Sequence, residues 1–254
     1  MFIVEQANFV IPNRTLLYPI SLRFEQGKVY GLIGHNGSGK STLIKLLAKQ
    51  LPLSAGSIRF DDKSLDSWSN RDFAKNVAYL PQHLPNTTNL TAKELIAMGR
   101  YAWNGLFGRQ TAEDKQAIEQ AMKLTHTEKF AEQSVDVLSG GERSRIWLAM
   151  LLAQQSKFLL LDEPLAALDI AHQVEVMQLV HNLSRALNLG VIIVIHDINL
   201  ASRYCDHLVA LHSGRLLAQG NAHDIVNTPS LKAIYGIELN VINHPETNRP
   251  VSFY

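Results

Sequence analysis

A run of glycine, lysine and hydroxyl residues carries the clearest chemistry in this sequence. Four residues separate Gly34 from Gly39, and Lys40 and Ser41 follow, which fits the phosphate-binding pattern Gly-x-x-x-x-Gly-Lys-Ser. Glycines let the backbone fold into a cup whose N–H groups face phosphate oxygens. We therefore predict that the phosphates of a nucleotide bind to a loop made of Gly34, His35, Asn36, Gly37, Ser38, Gly39, Lys40, Ser41 and Thr42.

The residues around the loop favour this interpretation over an ordinary glycine-rich turn. Residues 29–33 form a short apolar run of strand type, and leucines at helical spacing follow from Leu43. A helix that begins at the loop directs its unpaired N–H groups and its positive dipole end at the same anion. Lys40 would then reach the β- and γ-phosphates, and the Ser41 hydroxyl would bind Mg²⁺. The sequence predicts a nucleoside triphosphate site.

Two acidic residues directly follow a second apolar run. Residues 158–161 are Phe-Leu-Leu-Leu, and such unbroken apolarity indicates a strand of a central parallel sheet. Asp162 would hold Mg²⁺, because a phosphate loop works with a second acid at a strand end. Glu163 would point differently, which suits the orientation or deprotonation of an attacking water. The alternative is a pair of acids that serves only as a solvated turn.

A histidine and a glutamine follow two further predicted strands. His196 comes directly after the apolar run 191–195, and strands that end at one edge of a doubly wound sheet deliver side chains to one crevice. We predict that His196 contacts the γ-phosphate and the water, although a lone histidine is more often structural. Gln82 follows the predicted strand 77–80 and Pro81. Its position alone requires no function.

A second candidate anion site lies at Leu138-Ser139-Gly140-Gly141-Glu142, ahead of a predicted helix over residues 143–154. A serine and two glycines at a helix start leave N–H groups open to an anion. The alternative is a simple serine cap, which the spacing alone favours. One triphosphate needs only the first site. The second therefore suggests a neighbouring copy of the chain.

Composition excludes several classes of protein. Hydrophobic residues make up 46% and charged residues 19% of the 254 residues, as in ordinary globular domains. The 24 Lys and Arg less the 23 Asp and Glu leave a net charge of +1, so we expect no nucleic-acid partner. Cys205 is the only cysteine, which excludes an internal disulfide. We expect neither a secretory leader nor a membrane span, and hence a cytosolic chain or one that docks on a membrane component.

Strand patterns occur near both ends of the chain. Residues 2–24 alternate around a turn at residues 12–14, and residues 55–60 repeat the alternation, which predicts a small antiparallel sheet. Residues 208–211 and 216–217 flank Ser-Gly and predict a hairpin. Both patterns favour an α/β core.

The middle of the chain has a different character. Residues 83–155 lack a strong strand pattern, and helices are predicted at 91–98 and 112–124, the first with a capping box at Thr91-x-x-Glu94. We therefore predict one domain over residues 1–254. Its nucleotide-binding core comprises residues 1–82 and 156–254, and residues 83–155 form an inserted helical subdomain.

These motifs together resemble the nucleotide-binding subunits of ATP-binding cassette (ABC) transporters. The resemblance covers essentially the whole chain, and LSGGE is its most specific part. It implies an α/β P-loop NTPase (RecA-like) core with an antiparallel β subdomain and an inserted α-helical subdomain. The motifs that carry it are GHNGSGKS, Gln82 after AYLP, LSGGE, LLLDEP, the ALD that ends at Asp169, and the IHD around His196.

The resemblance also implies how the site works. Two copies close head to tail, and each ATP lies between the phosphate loop of one and the signature segment, Ser139–Glu142, of the other. Ser139 and Gly141 would contact the partner's γ-phosphate, and Asp169 would couple the two sites. Gln82 would join Ser41 and Asp162 around Mg²⁺, and Gln82 and the helical insert would receive a permease helix. The implied catalytic set is Lys40, Gln82, Glu163 and His196.

Longer stretches resemble the ATPases of bacterial ferric hydroxamate siderophore importers, within the group that imports iron chelates, haem and vitamin B12. These stretches are residues 91–109, 167–180, 196–211 and 235–253. The resemblance implies a peripheral protein on the cytoplasmic face of the inner membrane, with a polytopic permease and, indirectly, a substrate-binding protein. Haem, vitamin B12 or another metal chelate stays open as cargo. A non-transport ABC ATPase and, more remotely, a phosphate-loop kinase or GTPase are the other classes.

Four residues at three places depart from the family pattern. Ile11 stands where an aromatic residue usually stacks on adenine, so apolar contact replaces stacking. Leu165-Ala166 replaces the usual Thr-Ser, and the sequence offers no physical account of this change. Glu142 replaces the commoner Gln and still suits a helix start.

Overall fold

The computed structural model describes residues 1–85, 87–105 and 109–254. Residue 86 and residues 106–108 lie outside this description, although they belong to the predicted helical segment 83–155 and the last three also to the family-like stretch 91–109. The strands of the described residues are β1 (Phe2–Ile11), β2 (Arg14–Phe24), β3 (Val29–Ile33), β4 (Ala55–Phe60), β5 (Lys63–Ser64), β6 (Val77–Leu80), β7 (Phe158–Leu161), β8 (Gly190–Val194), β9 (His207–His212), β10 (Arg215–Gly220), β11 (Asn240–Asn243) and β12 (Pro250–Phe253).

A six-stranded sheet forms the centre of the fold, in the order β10-β9-β3-β8-β7-β6. All neighbouring pairs are parallel except β9 and β10, which form the predicted hairpin. The predicted central parallel sheet is therefore confirmed. Because its strands are parallel, the carboxyl ends of β3, β6, β7 and β8 lie at one edge.

The apolar runs are continuous because both faces of this sheet are covered. In β7, Leu159 and Leu161 belong to one apolar cluster, whereas Phe158 and Leu160 belong to the other. Successive side chains of a strand point to opposite faces, so a strand buried on both sides has no polar position.

The predicted antiparallel sheet is also confirmed, in the order β2-β1-β4-β5. Aromatic side chains join it to the central sheet. The ring of Phe2 lies 4.7 Å from that of Phe60 and 5.1 Å from that of Phe158, measured between centroids. Edge and tilted contacts of this kind add to the burial of the rings. The antiparallel sheet therefore packs firmly beside the strands that carry the candidate site.

Between β6 and β7 the described residues fold into helices and 3₁₀ turns, with one isolated bridge from Thr91 to Ser134. The predicted capping box of Thr91 and Glu94 is present. No helix of the described residues is long and apolar enough to cross a membrane. The helices are α1 (Lys40–Leu47), α2 (Asn70–Ala74), α3 (Ala92–Ala97), α4 (Tyr101–Asn104), α5 (Ala112–Thr125), α6 (Gly140–Ala153), α7 (Ile170–Ala186), α8 (Ile198–Tyr204), α9 (Ala222–Ile225) and α10 (Thr228–Tyr235).

A buried ion pair holds this helical stretch together. Arg100 Nε donates to Asp114 Oδ1 at 2.8 Å, and the two side chains are only 6% and 2% exposed. Burial alone would raise the pKa of Asp114, but hydrogen bonds from Thr111, Arg100 and Asn104 outweigh it and hold the pKa far below its usual range. Asp114 also completes the capping box of α5 with the N-cap residue Thr111, so one carboxylate stabilises both the helix start and the packing.

The hairpin of β11 and β12 is held by contacts with a distant part of the chain, which no local sequence pattern predicts. The side chain of Asn199, in α8, pairs with the backbone of Ser252: Nδ2 donates to the carbonyl at 3.0 Å, and Oδ1 accepts the N–H at 2.8 Å. The hairpin is thereby fixed to the helix that follows His196 and Asp197.

Candidate nucleotide-binding site

The phosphate loop links β3 to α1, as its flanks predict. Gly34 has a φ of +138°, and a Cβ there would lie 2.1 Å from the Leu211 carbonyl oxygen. Gly39, which precedes α1, has a φ of +103°. Side chains other than glycine would be strained at both positions, and at Gly34 would also collide with β9. The glycine spacing is therefore a requirement of the loop's shape.

The start of α1 is open to an anion. No side chain of the described residues caps it. Lys40 Nζ lies inside the loop and donates to the carbonyl oxygens of Gly34 at 2.8 Å and His35 at 2.9 Å. Burial lowers the pKa of Lys40, and the nearby carboxylates of Glu163 and Asp162 oppose that change. The ammonium group thus lies where phosphate oxygens would meet it.

A turn far along the chain supports the loop. The N–H of Gly214 donates to the Ser38 carbonyl at 3.0 Å, and the N–H of Ser213 donates to His35 Nε2 at 3.4 Å. The rings of His35 and His212 meet edge to face at 4.6 Å. Sequence reasoning missed this contact, because it joins residues that are far apart in the chain.

Asp162 and the loop serine meet beneath the loop. Ser41 Oγ donates to Asp162 Oδ1 at 2.9 Å. Asp162 is 0% exposed, and its Oδ2 has no hydrogen-bond partner among the described residues. Burial raises the pKa of Asp162, although the Ser41 hydrogen bond and the charge of Lys45 act in the opposite direction. The aspartate therefore retains an unused oxygen beside the serine hydroxyl.

Glu163 is held between Gln82 and His196. Gln82 Nε2 donates to Glu163 Oε2 at 2.8 Å, and His196 Nε2 lies 3.0 Å from Glu163 Oε1. Sheet register explains the meeting, because Leu80 pairs with Leu161 and so places the residues two further on side by side. Glu163 has a φ of +53°, which is strained for a residue with a side chain and is typical of functional sites.

These side chains surround a cavity of about 530 Å³. Arg14 and Leu16 also line it, and sequence reasoning missed both because they lie in a strand with no motif of its own. Ile11 pairs with Arg14 at the end of β1 and is 37% exposed, but it is not part of the cavity wall. The wall is formed by Arg14, Leu16, Asn36, Gly37, Gly39, Lys40, Ser41, Thr42, Gln82, Glu163 and His196.

The signature segment, Ser139–Glu142, lies outside this cavity wall. Ser139 caps α6: Glu142 Oε2 accepts from the Ser139 hydroxyl at 2.8 Å and from its N–H at 2.9 Å. Asp169 caps α7 and accepts from His172 N at 2.9 Å. The structure therefore brings the phosphate loop, Gln82, Asp162, Glu163 and His196 together, and the signature segment and Asp169 lie outside this cavity wall.

The loop geometry, the uncapped α1 and the buried Asp162 define a phosphate-loop nucleotide-binding protein. The chain belongs to the ABC transporter family, whose sequence pattern matches residues 17–166. As a member of this family it binds ATP and is an ATPase.

Relatives match nearly the whole chain. It is 36% identical to the iron(3+)-hydroxamate import ATP-binding protein FhuC of Bacillus subtilis, over 97% of this chain and 92% of that protein. It is 38% identical to the hemin import ATP-binding protein HmuV of Rhodococcus jostii, over 92% of this chain and 80% of that protein. Both lie within the predicted importer group.

Solved structures confirm the predicted ABC ATPase fold. A transporter described as metal-chelate type, in an inward-facing conformation, matches with a TM-score of 0.85 and 23% identity, over 100% of this chain and 97% of that one. The dimeric bacterial ABC transporter cassette MJ0796 matches with a TM-score of 0.74 and 23% identity, over 87% and 98% of the two chains.

Proposed function

We propose that this chain is the ATP-hydrolysing subunit of a bacterial importer, which takes up a ferric hydroxamate-type siderophore through a membrane permease. The observation that carries this proposal is the cavity in which the phosphate loop and the Glu163 carboxylate, held by Gln82 and His196, face the same space. The importer names of relatives that match over nearly the whole chain support the transport role.

In this proposal the triphosphate lies along the loop from Gly34 to Thr42, against the open N–H groups of α1. Lys40 exchanges its two carbonyl partners for phosphate oxygens, which are stronger acceptors because they are charged. Ile11 offers apolar contact to the adenine. Leu16 adds an apolar side chain on the cavity wall, and Arg14, the strand partner of Ile11, lies on the same wall.

The donor set beneath the loop fits Mg²⁺. The Oδ2 of Asp162, which has no hydrogen-bond partner in the described part of the chain, and the Ser41 hydroxyl are hard oxygen ligands, which Mg²⁺ prefers. We infer that Ser41, Asp162 and Gln82 hold the ion. A bound Mg²⁺ would neutralise charge on the phosphate oxygens.

Hydrolysis needs a water held in line with the γ-phosphate. Glu163 is the base in this proposal, because its carboxylate borders the cavity and two side chains fix its direction. His196 contacts the same carboxylate and so helps to place both the water and the γ-phosphate. Phosphoryl transfer depends mainly on positioning and charge, which Lys40 and these residues supply.

A second copy completes the site. Ser139, Gly140, Gly141 and Glu142 lie outside the cavity of their own chain, which supports a head-to-tail dimer in which they meet the ATP of the other copy. Asp169 couples the two sites. In each copy, residues 1–82 and 156–254 form the core, and residues 83–155 form the helical subdomain within a single domain.

The remaining partners follow from the importer role. The chain lies on the cytoplasmic face of the bacterial inner membrane, bound to a polytopic permease near Gln82 and the helical subdomain. A substrate-binding protein acts through that permease, and no nucleic acid takes part. The cargo is a ferric hydroxamate-type siderophore, with haem, vitamin B12 or another metal chelate as the alternative.

Growth on defined iron sources tests this proposal. We expect a strain that lacks the chain to grow poorly on a ferric hydroxamate and normally on iron salts. The wild-type chain restores growth, and Glu163→Gln does not. If the wild-type chain restored growth on haem alone, the cargo would be haem instead of a ferric hydroxamate. Unchanged growth on every chelate, with no membrane protein co-purifying, would reject the transport role.

A further inference from the structure

The start of α6 touches the start of α7 within one subunit. A Cβ at Gly140 would lie 3.4 Å from Leu168 Cδ2. A Cβ at Gly141 would lie only 2.0 Å from His172 Cδ2 and 2.8 Å from His172 Nε2. Gly141 does not have a left-handed backbone, so its φ does not demand glycine. A side chain at this position would have to displace the His172 ring, which lies against the backbone of Gly141.

The opposite edge of the ring is held by Asp169. His172 Nδ1 lies 2.8 Å from Asp169 Oδ1, the same oxygen that accepts the backbone N–H of His172. These hydrogen bonds lower the pKa of Asp169, so its carboxylate is ionised and only accepts. Nδ1 is therefore the donor in this hydrogen bond, which orients the ring between Asp169 and Gly141.

A second contact keeps the two helices in register. Arg145 forms an ion pair with Glu175. Gly141 and Arg145 are four residues apart on α6, and His172 and Glu175 are three apart on α7, so each pair shares one helix face. The segment before α7 is fixed as well, because Gln173 Nε2 donates to the Leu168 carbonyl at 3.0 Å.

We propose that His172 is a positioning residue that sets the signature segment against Asp169. The ring acts as a spacer, because it forms a hydrogen bond with Asp169 and packs on the backbone of Gly141. Asp169 and the signature segment therefore move together. The proposal rests on the head-to-tail dimer proposed above, in which Ser139, Gly141 and Asp169 all act at the partner's nucleotide. His172 acts through Gly141 and Asp169 and does not itself contact ATP.

The test is a double-mutant cycle in the full chain with Glu163→Gln, in which hydrolysis is blocked. The dissociation constant of the ATP-dependent dimer is measured by analytical ultracentrifugation, and the affinity of the single chain for a fluorescent ATP analogue is measured in parallel. Gly141→Ala should weaken the dimer about tenfold when His172 is present, because the new methyl group meets the ring. With His172→Ala, or with His172→Asn, which keeps a donor for Asp169, the same change should cost less than about twofold.

The matched control is Glu175→Gln, which loosens the same pair of helices away from the ring and should leave the Gly141→Ala penalty at about tenfold. The affinity of the single chain for the ATP analogue should not change in any variant. An equal Gly141→Ala penalty in all backgrounds would overturn the spacer role while leaving the dimer intact. If Glu163→Gln forms no dimer with ATP, the proposed dimer fails and this inference falls with it.

Discussion

Two helix starts in this chain have the residue types of an anion site, and they differ in what already occupies their N–H groups. α1 follows Gly39, and no side chain of the described residues caps it. α6 follows Ser139, whose N–H and hydroxyl both donate to the Glu142 carboxylate. The first start lines the cavity of about 530 Å³, whereas the second does not.

A glycine-rich helix start is therefore not a ligand site by composition alone. The phosphate loop is kept open because Gly34 and Gly39 have positive φ values and the Ser213–Gly214 turn supports the loop from behind. In the signature segment, the N–H and hydroxyl of Ser139 both donate to the carboxylate of Glu142 in the same segment. These differences support different roles for the two helix starts. The phosphate loop and α1 bind nucleotide in a single chain, and the signature segment acts only when another chain brings a triphosphate.

The largest effect should come from Glu163→Gln, which keeps the size of the side chain and removes the base. We expect turnover to fall about 1000-fold, since a positioned general base contributes 10²- to 10⁴-fold. The ATP affinity of the single chain should stay within about twofold, because Lys40 and the loop are unchanged. Phosphate release and equilibrium binding of a fluorescent ATP analogue measure the two quantities. Turnover near the wild-type rate would exclude Glu163 as the base.

Lys40→Ala should weaken nucleotide binding in the single chain, because Lys40 belongs to the phosphate loop. It therefore tests the phosphate loop separately from the signature segment. It removes charge-assisted hydrogen bonds to two phosphates, at about 1.5 kcal/mol each, which corresponds to a loss of about 100-fold in affinity. Lys123→Ala is the matched control, because it removes the same charge from an exposed position in α5, outside the cavity wall. Isothermal titration calorimetry should show less than about threefold change for Lys123→Ala. Equal losses in both variants would mean that only net charge matters.

Much of the site around the phosphate loop could be predicted because local patterns determine it. The apolar runs predict the strands, and the parallel register of β6 and β7 in the structure then places Gln82 beside Glu163. Contacts between residues distant in the chain could not be read in this way. Such contacts depend on tertiary packing, which produces no periodic pattern in the sequence. Examples are the hydrogen bond from Ser213 to His35, the ring of His172 on Gly141 and the pairing of Asn199 with Ser252.

The function of the signature segment could not be predicted from its residues alone. The spacing from Ser139 to Glu142 fits a capping box as well as an anion site, and the residues alone favoured the cap. The structure has the cap. Only the resemblance to the family implies that the signature segment acts at the nucleotide of a partner chain. A site formed by two chains has only part of its residues in each sequence, so neither sequence shows the whole pattern.

Asp162→Asn should raise the melting temperature of the protein without nucleotide, by about 3 °C for each kcal/mol relieved. Burial raises the pKa of Asp162, so its ionised form opposes folding. That penalty is complete above the raised folded pKa and disappears as pH falls through the folded pKa towards the unfolded value. The variant's advantage in differential scanning calorimetry should therefore shrink between neutral pH and about pH 4.

ATP and Mg²⁺ together should reverse the order of the two melting temperatures, because the variant loses an oxygen ligand proposed for the ion. Mg²⁺ added with ATP should stabilise the wild type more than ATP alone, and should add little to the variant. An advantage of Asp162→Asn that persists in full at low pH would contradict the burial argument. A variant that still responds to Mg²⁺ as the wild type does would contradict the ligand role.

The smallest effect should come from Glu142→Gln, which tests whether the cap competes with the partner's phosphate. Two opposing effects apply. The neutral amide weakens the helix start, since a carboxylate in the first turn contributes about 0.5 kcal/mol. It also removes a negative charge from the donors that the γ-phosphate would use, which favours the anion. Hydrogen bonds from Ser139 lower the pKa of Glu142, so that charge is present at neutral pH.

We expect the second effect to exceed the first, because a phosphate carries more charge than the helix start and approaches the same two donors of Ser139. The ATP-dependent dimer of Glu163→Gln should then become about two- to threefold tighter when Glu142→Gln is added, in line with the modest size of exposed charge effects at helix ends. Light scattering against ATP concentration measures this, with Glu113→Gln in the first turn of α5 as control. A weaker dimer would mean that the cap prepares the signature segment for phosphate instead of competing with it.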